Sequence, residues 1–293
     1  MGGEYREPLP AGIGTWDRAR VLSAALRILF DVVVFRVRRL EMANLAGAVA
    51  IMAVLKLPLA EALIRTAFAL LLNALVYLNN DYLDVELDAQ TPDKDGAKVA
   101  YLREHKRTAL FLQWSLVAIL GALATTASGL WLALVLGAGV CIAYSAWLKH
   151  VPALDIVAMG IWGFAMPLCG TPLDRSLGLL LALQLGLMSA VFETIQVIRD
   201  HDADRLAGVR TTAVVLGPQR TLWVARALML ISALYAGLMF HPGAGAIALG
   251  ALLVPFRSQA VDAYWTRIKL ISGIAWLFIC AFTFFYGEAG HGG

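Results

Sequence analysis

Long apolar runs, separated by short polar segments, make up most of this sequence. About 20 apolar residues cross a bilayer as a helix, so such runs predict membrane-spanning helices. Nine of them can be placed, at approximately residues 42–59, 62–82, 109–127, 130–148, 153–171, 177–198, 221–240, 244–256 and 268–286, the eighth being the shortest. The pattern therefore predicts an all-α, polytopic membrane protein.

The segment before the first run has a different pattern. Residues 17–40 alternate arginines, among them Arg27 and Arg36, with apolar residues such as Leu26 and Phe30. A basic amphipathic helix of this kind is typical of the membrane interface. We therefore divide the chain into a basic N-terminal segment with an interfacial helix, residues 1–41, and a nine-helix transmembrane domain, residues 42–293.

Composition agrees with a membrane protein, and the distribution of charge predicts its orientation. Hydrophobic residues make up 60% of the 293 residues, charged residues make up only 15%, and the mean hydropathy is +0.72. Of the 24 Lys and Arg residues, 21 fall in the segments 1–41, 83–108, 149–152, 199–226 and 257–269, which share one side of a nine-span topology. Positive charge favours the cytoplasmic side. We therefore expect the N terminus and these segments to face the cytoplasm from an inner cell membrane, and the net charge of +3 indicates no nucleic-acid partner.

Two acidic motifs follow apolar runs on that same side. The first aspartate motif, residues 80–88, contains Asn80, Asp84 and Asp88, and the second aspartate motif, residues 196–204, contains Gln196, Asp200 and Asp204. A step of four residues keeps side chains on one face of a helix. Each member of the first series has its counterpart 116 positions later. This repeat predicts two four-helix pseudo-repeats plus a ninth helix, with two acidic stripes facing a common cavity.

Opposed carboxylates repel each other unless a cation lies between them, and a divalent metal that carries a phosphate is the expected guest. Mg²⁺ takes oxygen ligands from one or two carboxylates and completes its shell with water and substrate phosphates. The candidate metal ligands are Asn80, Asp81, Asp84, Asp88, Asp200 and Asp204. The candidate diphosphate-binding residues are Asn80, Lys94, Lys98, Arg103, Lys149, Arg199 and Arg210, most of them in the predicted cap loops 83–108 and 199–220. Asn44, Glu193 and Gln196 are polar residues inside spans and are candidates for the cavity wall.

These motifs resemble those of a known family. Asn80-Asp81-x-x-Asp84-x-x-x-Asp88 resembles the first aspartate motif of the UbiA superfamily of intramembrane prenyltransferases, Arg199-Asp200-x-x-x-Asp204 resembles the second, and Tyr144-Ser145-x-x-Leu148-Lys149 is similar to a further segment of the family. The resemblance implies nine helices in a ring around a central cavity that opens to lipid. It also implies two Mg²⁺ ions and a diphosphate held by the aspartates, with Lys149 on the diphosphate and Tyr144 beside the nascent carbocation. The catalytic residues it implies are Asp84, Asp88, Asp200, Asp204, Tyr144 and Lys149.

The resemblance predicts an enzyme that ionises a polyprenyl diphosphate and transfers the prenyl group to a lipophilic, aromatic acceptor. Many relatives follow the first motif with Arg-Pro-x-Pro-x-Gly, whereas residues 91–98 here read Thr-Pro-Asp-Lys-Asp-Gly-Ala-Lys. The sequence therefore does not define the acceptor. Two alternatives stay open: a terpene cyclase on the same scaffold, in which the ionised prenyl group attacks itself, and a cation transporter whose acidic stripes bind the transported ion.

Overall fold

The structure, a computed structural model, describes residues 15–38, 43–89 and 95–287, and every regular element in these ranges is a helix. The α-helices are α1 (Thr15–Arg38), α2 (Ala43–Val54), α3 (Leu59–Asp88), α4 (Gly96–Glu104), α5 (Lys106–Ala124), α6 (Leu130–Ala146), α7 (Leu154–Leu168), α8 (Ser176–Arg199), α9 (His201–Leu206), α10 (Thr212–Leu216), α11 (Pro218–Met239), α12 (Pro242–Leu249) and α13 (Val261–Tyr286). Short 3₁₀ turns lie at Leu148–His150, Gly250–Leu253 and Ser258–Ala260.

The apolar helices of the described chain coincide with the nine predicted spans, namely α2, α3, α5, α6, α7, α8, α11, α12 and α13. Five of them, α3, α5, α8, α11 and α13, are long and apolar enough to cross a membrane, whereas α2, α6, α7 and α12 with its 3₁₀ turn are shorter. The prediction of an all-helical, multi-pass membrane protein is thus confirmed. The ring of nine spans, the pseudo-repeats and the cytoplasmic side of the loops stay predictions.

Helix α1 lies where the sequence predicts an interfacial helix and packs on α3, α4 and α5. Ile28 and Val32, one turn apart, are buried by this packing. Leu22, Leu26 and Phe30 form a second apolar stripe whose members are 62, 59 and 64% exposed. An exposed apolar stripe on an arginine-bearing helix suits a membrane interface, although contact with lipid stays a prediction.

Small residues allow α7 and α8, the most extensively packed helix pair, to approach closely. A Cβ atom at Gly163 would lie only 2.0 Å from Ser189 Cβ, and one at Gly186 would lie 3.0 Å from Phe164 Cβ. Close backbone approach at small residues is a common way for membrane helices to pack. This contact fixes α8, which leads into the second aspartate motif, against α7.

Short helices follow the ends of α3 and α8, in the regions predicted as caps. Helix α4 contacts α1, α3 and α5, and its first turn is capped by the Asp95 carboxylate, which accepts a hydrogen bond from the Lys98 amide at 3.2 Å. Helices α9 and α10 come directly after α8, separated by the turn at Gly208, where φ is 72°. The structure thus gives both regions partly helical conformations, while their role as caps stays a prediction.

A fully buried arginine lies at the start of α3. Arg65 donates hydrogen bonds to Glu61 Oε1 at 2.8 Å and to the carbonyl oxygens of Ser128 and Cys169 at 3.0 and 3.2 Å. The guanidinium therefore ties α3 to the α5–α6 connection and to the end of α7.

We expect Arg65→Met to lower the free energy of unfolding by about 3 kcal/mol, because it leaves a carboxylate and two carbonyl groups without their donor. Thermal unfolding in detergent would measure the loss. Arg175→Met, which alters an exposed arginine just before α8, is the matched control and should leave the unfolding temperature nearly unchanged. Equal losses in the two variants would contradict the role assigned to Arg65.

Candidate active site

The first aspartate motif lies in the last turns of α3, which continues without a break to Asp88. Asn80 Nδ2 donates to Asp84 Oδ2 at 2.8 Å, so these two residues share one face of the helix. Lys149 Nζ, in the 3₁₀ turn after α6, donates to Asp84 Oδ1 at 2.6 Å. The Asp84 and Lys149 side chains are 23 and 18% exposed, so a ligand from solvent can reach this ion pair.

The end of α6 connects this motif to α8. Ser145 Oγ accepts a hydrogen bond of 3.4 Å from Asn80, and the preceding residue, Tyr144, donates its hydroxyl to Glu193 Oε1 at 3.0 Å. Glu193 is buried in α8, one turn before the second motif. Neighbouring residues of α6 therefore contact both α3 and α8, the helices that lead into the two aspartate motifs.

The second aspartate motif spans the end of α8 and helix α9. Asp200 accepts two hydrogen bonds from Arg199, from Nε at 2.7 Å and from Nη2 at 2.9 Å. Burial, together with the neighbouring Asp200 carboxylate, raises the pKa of Asp204 above its ordinary value. Asp202, in contrast, is 89% exposed at its side chain and contacts His201. Asp200 and Asp204 are thus close enough to repel each other, which favours a cation beside them.

Asp81 has a different environment from the other aspartates. Its Oδ1 accepts from Arg36 Nη2 at 2.7 Å, and its Oδ2 accepts from Lys98 Nζ at 2.6 Å. At most 13% of any of these three side chains is exposed. The cluster joins α1, α3 and α4, and the predicted roles of Asp81 in metal binding and of Lys98 in diphosphate binding would require these ion pairs to open. Sequence reasoning did not single out Arg36 for this site.

The remaining candidates lie farther from these contacts or at the margin of the described chain. Arg103 pairs with the exposed Glu86 at 3.1 Å, Arg210 is exposed between α9 and α10, Asn44 lies in the first turn of α2, and Asp88 and Gln196 are partly exposed at the ends of α3 and α8. Lys94 lies outside the described residues. The hydrogen bonds and ion pairs described above therefore join only some of the candidates from sequence, and a role for the others in the site stays a prediction.

Comparison with known families agrees with this geometry. A sequence model of the UbiA prenyltransferase family matches residues 42–269, which is more than three quarters of the chain. The chain belongs to this family. Both aspartate motifs and the end of α6 lie inside the matched range, whereas α1 and Arg36 precede it.

Individual relatives and solved structures support the same assignment. Lycopene elongase/hydratase of Haloferax volcanii is 27% identical over 201 residues, covering 66% of this chain and 66% of that protein, or just under two thirds of each. Digeranylgeranylglyceryl phosphate synthase of Natronomonas pharaonis is 27% identical over 206 residues, covering 68% of this chain and 73% of that protein.

Two solved structures are similar in fold. The structure of a digeranylgeranylglyceryl phosphate synthase has a TM-score of 0.64 at 15% identity and covers 89% of this chain and 99% of its own. A UbiA homologue from Archaeoglobus fulgidus, bound to DMAPP and Mg²⁺, has a TM-score of 0.61 at 17% identity and covers 92% of this chain and 88% of its own. The fold of this chain is therefore UbiA-like.

The donor atoms present fit Mg²⁺ only when a phosphate shares it. Within the described ranges, no group of three or more His, Cys, Asp or Glu side chains could hold a metal ion by itself. A Mg²⁺ ion that takes one or two carboxylates and fills its shell with phosphate oxygens and water needs no such group. Asp84, Asp200 and Asp204 supply hard oxygen donors from both motifs, and burial together with the nearby Asp200 carboxylate raises the pKa of Asp204. The residues therefore fit a metal that enters together with a diphosphate.

Proposed function

We propose that this UbiA-family protein carries out the Mg²⁺-dependent ionisation of a polyprenyl diphosphate and transfers the prenyl group to a lipophilic acceptor, with release of diphosphate. The observation that carries the proposal is the end of α6, where Tyr144 contacts Glu193 of α8 while Lys149 contacts Asp84 of α3. These contacts tie α3 and α8, the helices that lead into the two motifs, to one short segment, which supports a single site formed by Lys149 and carboxylates of both motifs. A magnesium diphosphate requires ligands of both charges in such an arrangement.

The polar end of the site would hold the diphosphate. Asn80, Asp84, Asp88, Asp200 and Asp204 are the residues we propose as ligands for two Mg²⁺ ions. When bound, the metal neutralises charge that accumulates on the leaving diphosphate, which lowers the barrier to breaking the allylic C–O bond. Lys149 and Arg199, each now paired with an aspartate, would donate instead to diphosphate oxygens once those carboxylates bind metal. Every charge would then keep a partner of opposite sign.

The apolar interior behind the polar end would hold the prenyl chain. Trp162 and Met166 of α7 are buried there, and Phe192, next to Glu193, packs against the same core. Exclusion of water from such a region protects an allylic cation from hydrolysis. Tyr144 donates its hydroxyl to Glu193, the neighbour of Phe192, and precedes Lys149 by five residues, so we place the reacting allylic carbon beside it.

The names of the relatives bear on the acceptor. One relative is a lycopene elongase/hydratase and another is a digeranylgeranylglyceryl phosphate synthase. We therefore propose a lipid acceptor, either an isoprenoid or a glyceryl lipid, ahead of the aromatic acceptor expected from the sequence. When a carbon–carbon double bond attacks the allylic cation, the new carbocation must lose a proton or take up water, and for loss of a proton we propose Glu193, the buried carboxylate bonded to Tyr144, as the acceptor.

We also propose that the site opens to the cytoplasm. The ends of α3, α6 and α8 lie in or beside the segments that carry most of the Lys and Arg residues. Such segments remain on the cytoplasmic side of the membrane.

Diphosphate release from purified protein tests this function. We expect release from one member of a panel of C10, C15, C20 and longer prenyl diphosphates when total lipid extract is present, and loss of at least about 10²-fold on adding EDTA, because the leaving group then loses its counter-charge. Excess Mg²⁺ should restore the rate. Mass spectrometry of the product would identify the prenyl group and the acceptor. Aromatic acceptors would be tested in a separate set of reactions.

Other outcomes of the same assay separate the alternatives. A cyclic hydrocarbon or alcohol formed without any acceptor would assign the protein as a cyclase. A transporter has no reason to release diphosphate, so metal-independent or absent release across the whole panel would contradict the proposal.

A further inference from the structure

A buried carboxylate that belongs to neither motif lies next to the site. Asp155, in the first turn of α7, has no solvent exposure. Its Oδ2 accepts the backbone amide of Thr212 at 2.7 Å, and its Oδ1 accepts both the Thr212 hydroxyl and the Ile156 amide, the latter at 2.9 Å. The three groups that donate these hydrogen bonds, two backbone amides and one hydroxyl, are all neutral. Burying a carboxylate in this way costs desolvation free energy. We therefore expect Asp155 to have a specific role.

Thr212, the residue that donates to Asp155, is also buried and hydrogen-bonded. It is 3% exposed at the start of α10, and its hydroxyl oxygen accepts the amide of Ala153 at 2.7 Å while its hydrogen goes to Asp155. Ala153 has a φ of 68°, in the left-handed region that residues other than glycine rarely adopt. Such a conformation is strained and persists only where the surroundings impose it. The Thr212 hydroxyl is one of the groups that impose it.

This contact joins the two chain segments that carry the polar residues of the site. One segment runs from Lys149, which is paired with Asp84, through the turn at Ala153 to Asp155. The other runs from Asp204 in α9 to Thr212 in α10. The Asp155–Thr212 contact is therefore one of the contacts that hold the second aspartate motif relative to the Lys149–Asp84 pair of the first, beside the packing of α7 on α8.

We propose that Asp155 and Thr212 are positioning residues, which hold the second aspartate motif where a metal diphosphate can bridge both motifs. The proposal rests on the proposed function, since it needs a ligand shared by the two motifs. Displacing a binding group by about 1 Å is enough to cost on the order of 10²-fold in activity. A residue that served only the stability of the fold would change the unfolding temperature and leave the concentration dependence of Mg²⁺ and substrate unaltered.

Thr212→Val tests the proposal against a closely matched control. Thr221→Val is the same substitution at a residue that is also buried at a helix start, but its hydroxyl donates to the carbonyl of Gly217, the residue just before α11, at 2.9 Å. For each variant we would measure the Mg²⁺ concentration at half-maximal diphosphate release, the KM for the prenyl diphosphate, and Mg²⁺-dependent binding of an unreactive prenyl thiodiphosphate by calorimetry. We expect Thr212→Val to raise the half-maximal Mg²⁺ concentration, the KM and the Kd of the thiodiphosphate by about 10-fold or more relative to Thr221→Val. Thr212→Ser, which keeps the hydroxyl, should restore all three values.

The outcomes separate the positioning role from the proposed function. Equal Mg²⁺ and substrate dependence in Thr212→Val and Thr221→Val would overturn the positioning role, as would a fall in unfolding temperature alone. If Thr212→Val does not fold, Asp155→Asn, which removes one acceptor and keeps the volume, should show the same weakened binding. If the wild-type protein releases no diphosphate, the proposed function fails, and calorimetric binding of the thiodiphosphate to the same variants still decides the positioning role.

Discussion

Asp84→Asn is expected to lower turnover by at least about 10²-fold while leaving the protein folded. The amide preserves the volume at the end of α3 but removes the charge that pairs with Lys149 and that we propose as a metal ligand. Because the Lys149 side chain is partly exposed, its ammonium can be solvated when the partner is lost, so the unfolding temperature should change little. The measurement is diphosphate release at saturating Mg²⁺ and prenyl diphosphate, beside thermal unfolding in detergent.

The control for this prediction lies two residues along the same helix. Glu86 has an exposed side chain that pairs with Arg103 and Lys106 at 3.1 and 3.4 Å. Exposed ion pairs contribute little to stability, and we assign Glu86 no part in the site, so Glu86→Gln should retain turnover within about 2-fold. Wild-type turnover in Asp84→Asn, or an equal loss in Glu86→Gln, would contradict the assignment of the first motif.

Periodic patterns explain why the helices and both motifs could be predicted from sequence. Each helix that coincides with a predicted span is apolar over most of its length. A long apolar run is buried in lipid or in protein, so it can be recognised from the sequence. The step of four residues between Asn80 and Asp84 appears in the structure as a hydrogen bond of 2.8 Å. Local geometry within one helix follows from spacing alone.

Contacts between distant segments could not be predicted in the same way. Arg36 and Asp81 are 45 residues apart, and spacing does not show that α1 packs beside the first motif. Asp155 did leave a signal, since a carboxylate at the start of an apolar run is costly unless it is bonded. Its partner, Thr212, lies 57 residues away in an unremarkable segment, so only the structure reveals what the carboxylate holds.

The ion pairs of the site also change how the candidate cations are understood. The sequence groups Lys98, Arg103, Lys149 and Arg199 together as candidates for binding the diphosphate, and only the family resemblance gives Lys149 a catalytic role as well. In the structure Lys149 and Arg199 pair with the aspartates that face the shared site, while Lys98 pairs with Asp81 and Arg103 with Glu86. Only the first two are paired with aspartates that we propose as metal ligands.

Asp200→Asn is expected to match Asp84→Asn, with a loss of turnover of at least about 10²-fold. The substitution removes the carboxylate that binds Arg199 through two hydrogen bonds and that we propose as a metal ligand. Asp202→Asn is the matched control, since the same change is made two residues away at a side chain that is 89% exposed. It should keep turnover within about 2-fold.

The double variant Asp84→Asn/Asp200→Asn then tests whether the two motifs serve one ligand. If both motifs hold the same metal diphosphate, losing either one already destroys the arrangement, and the double variant should be little slower than the slower single variant. Two independent sites would instead give losses that multiply, to about 10⁴-fold or more. Multiplying losses would therefore contradict the single site that the Tyr144 and Lys149 contacts define, even if each aspartate proved essential by itself.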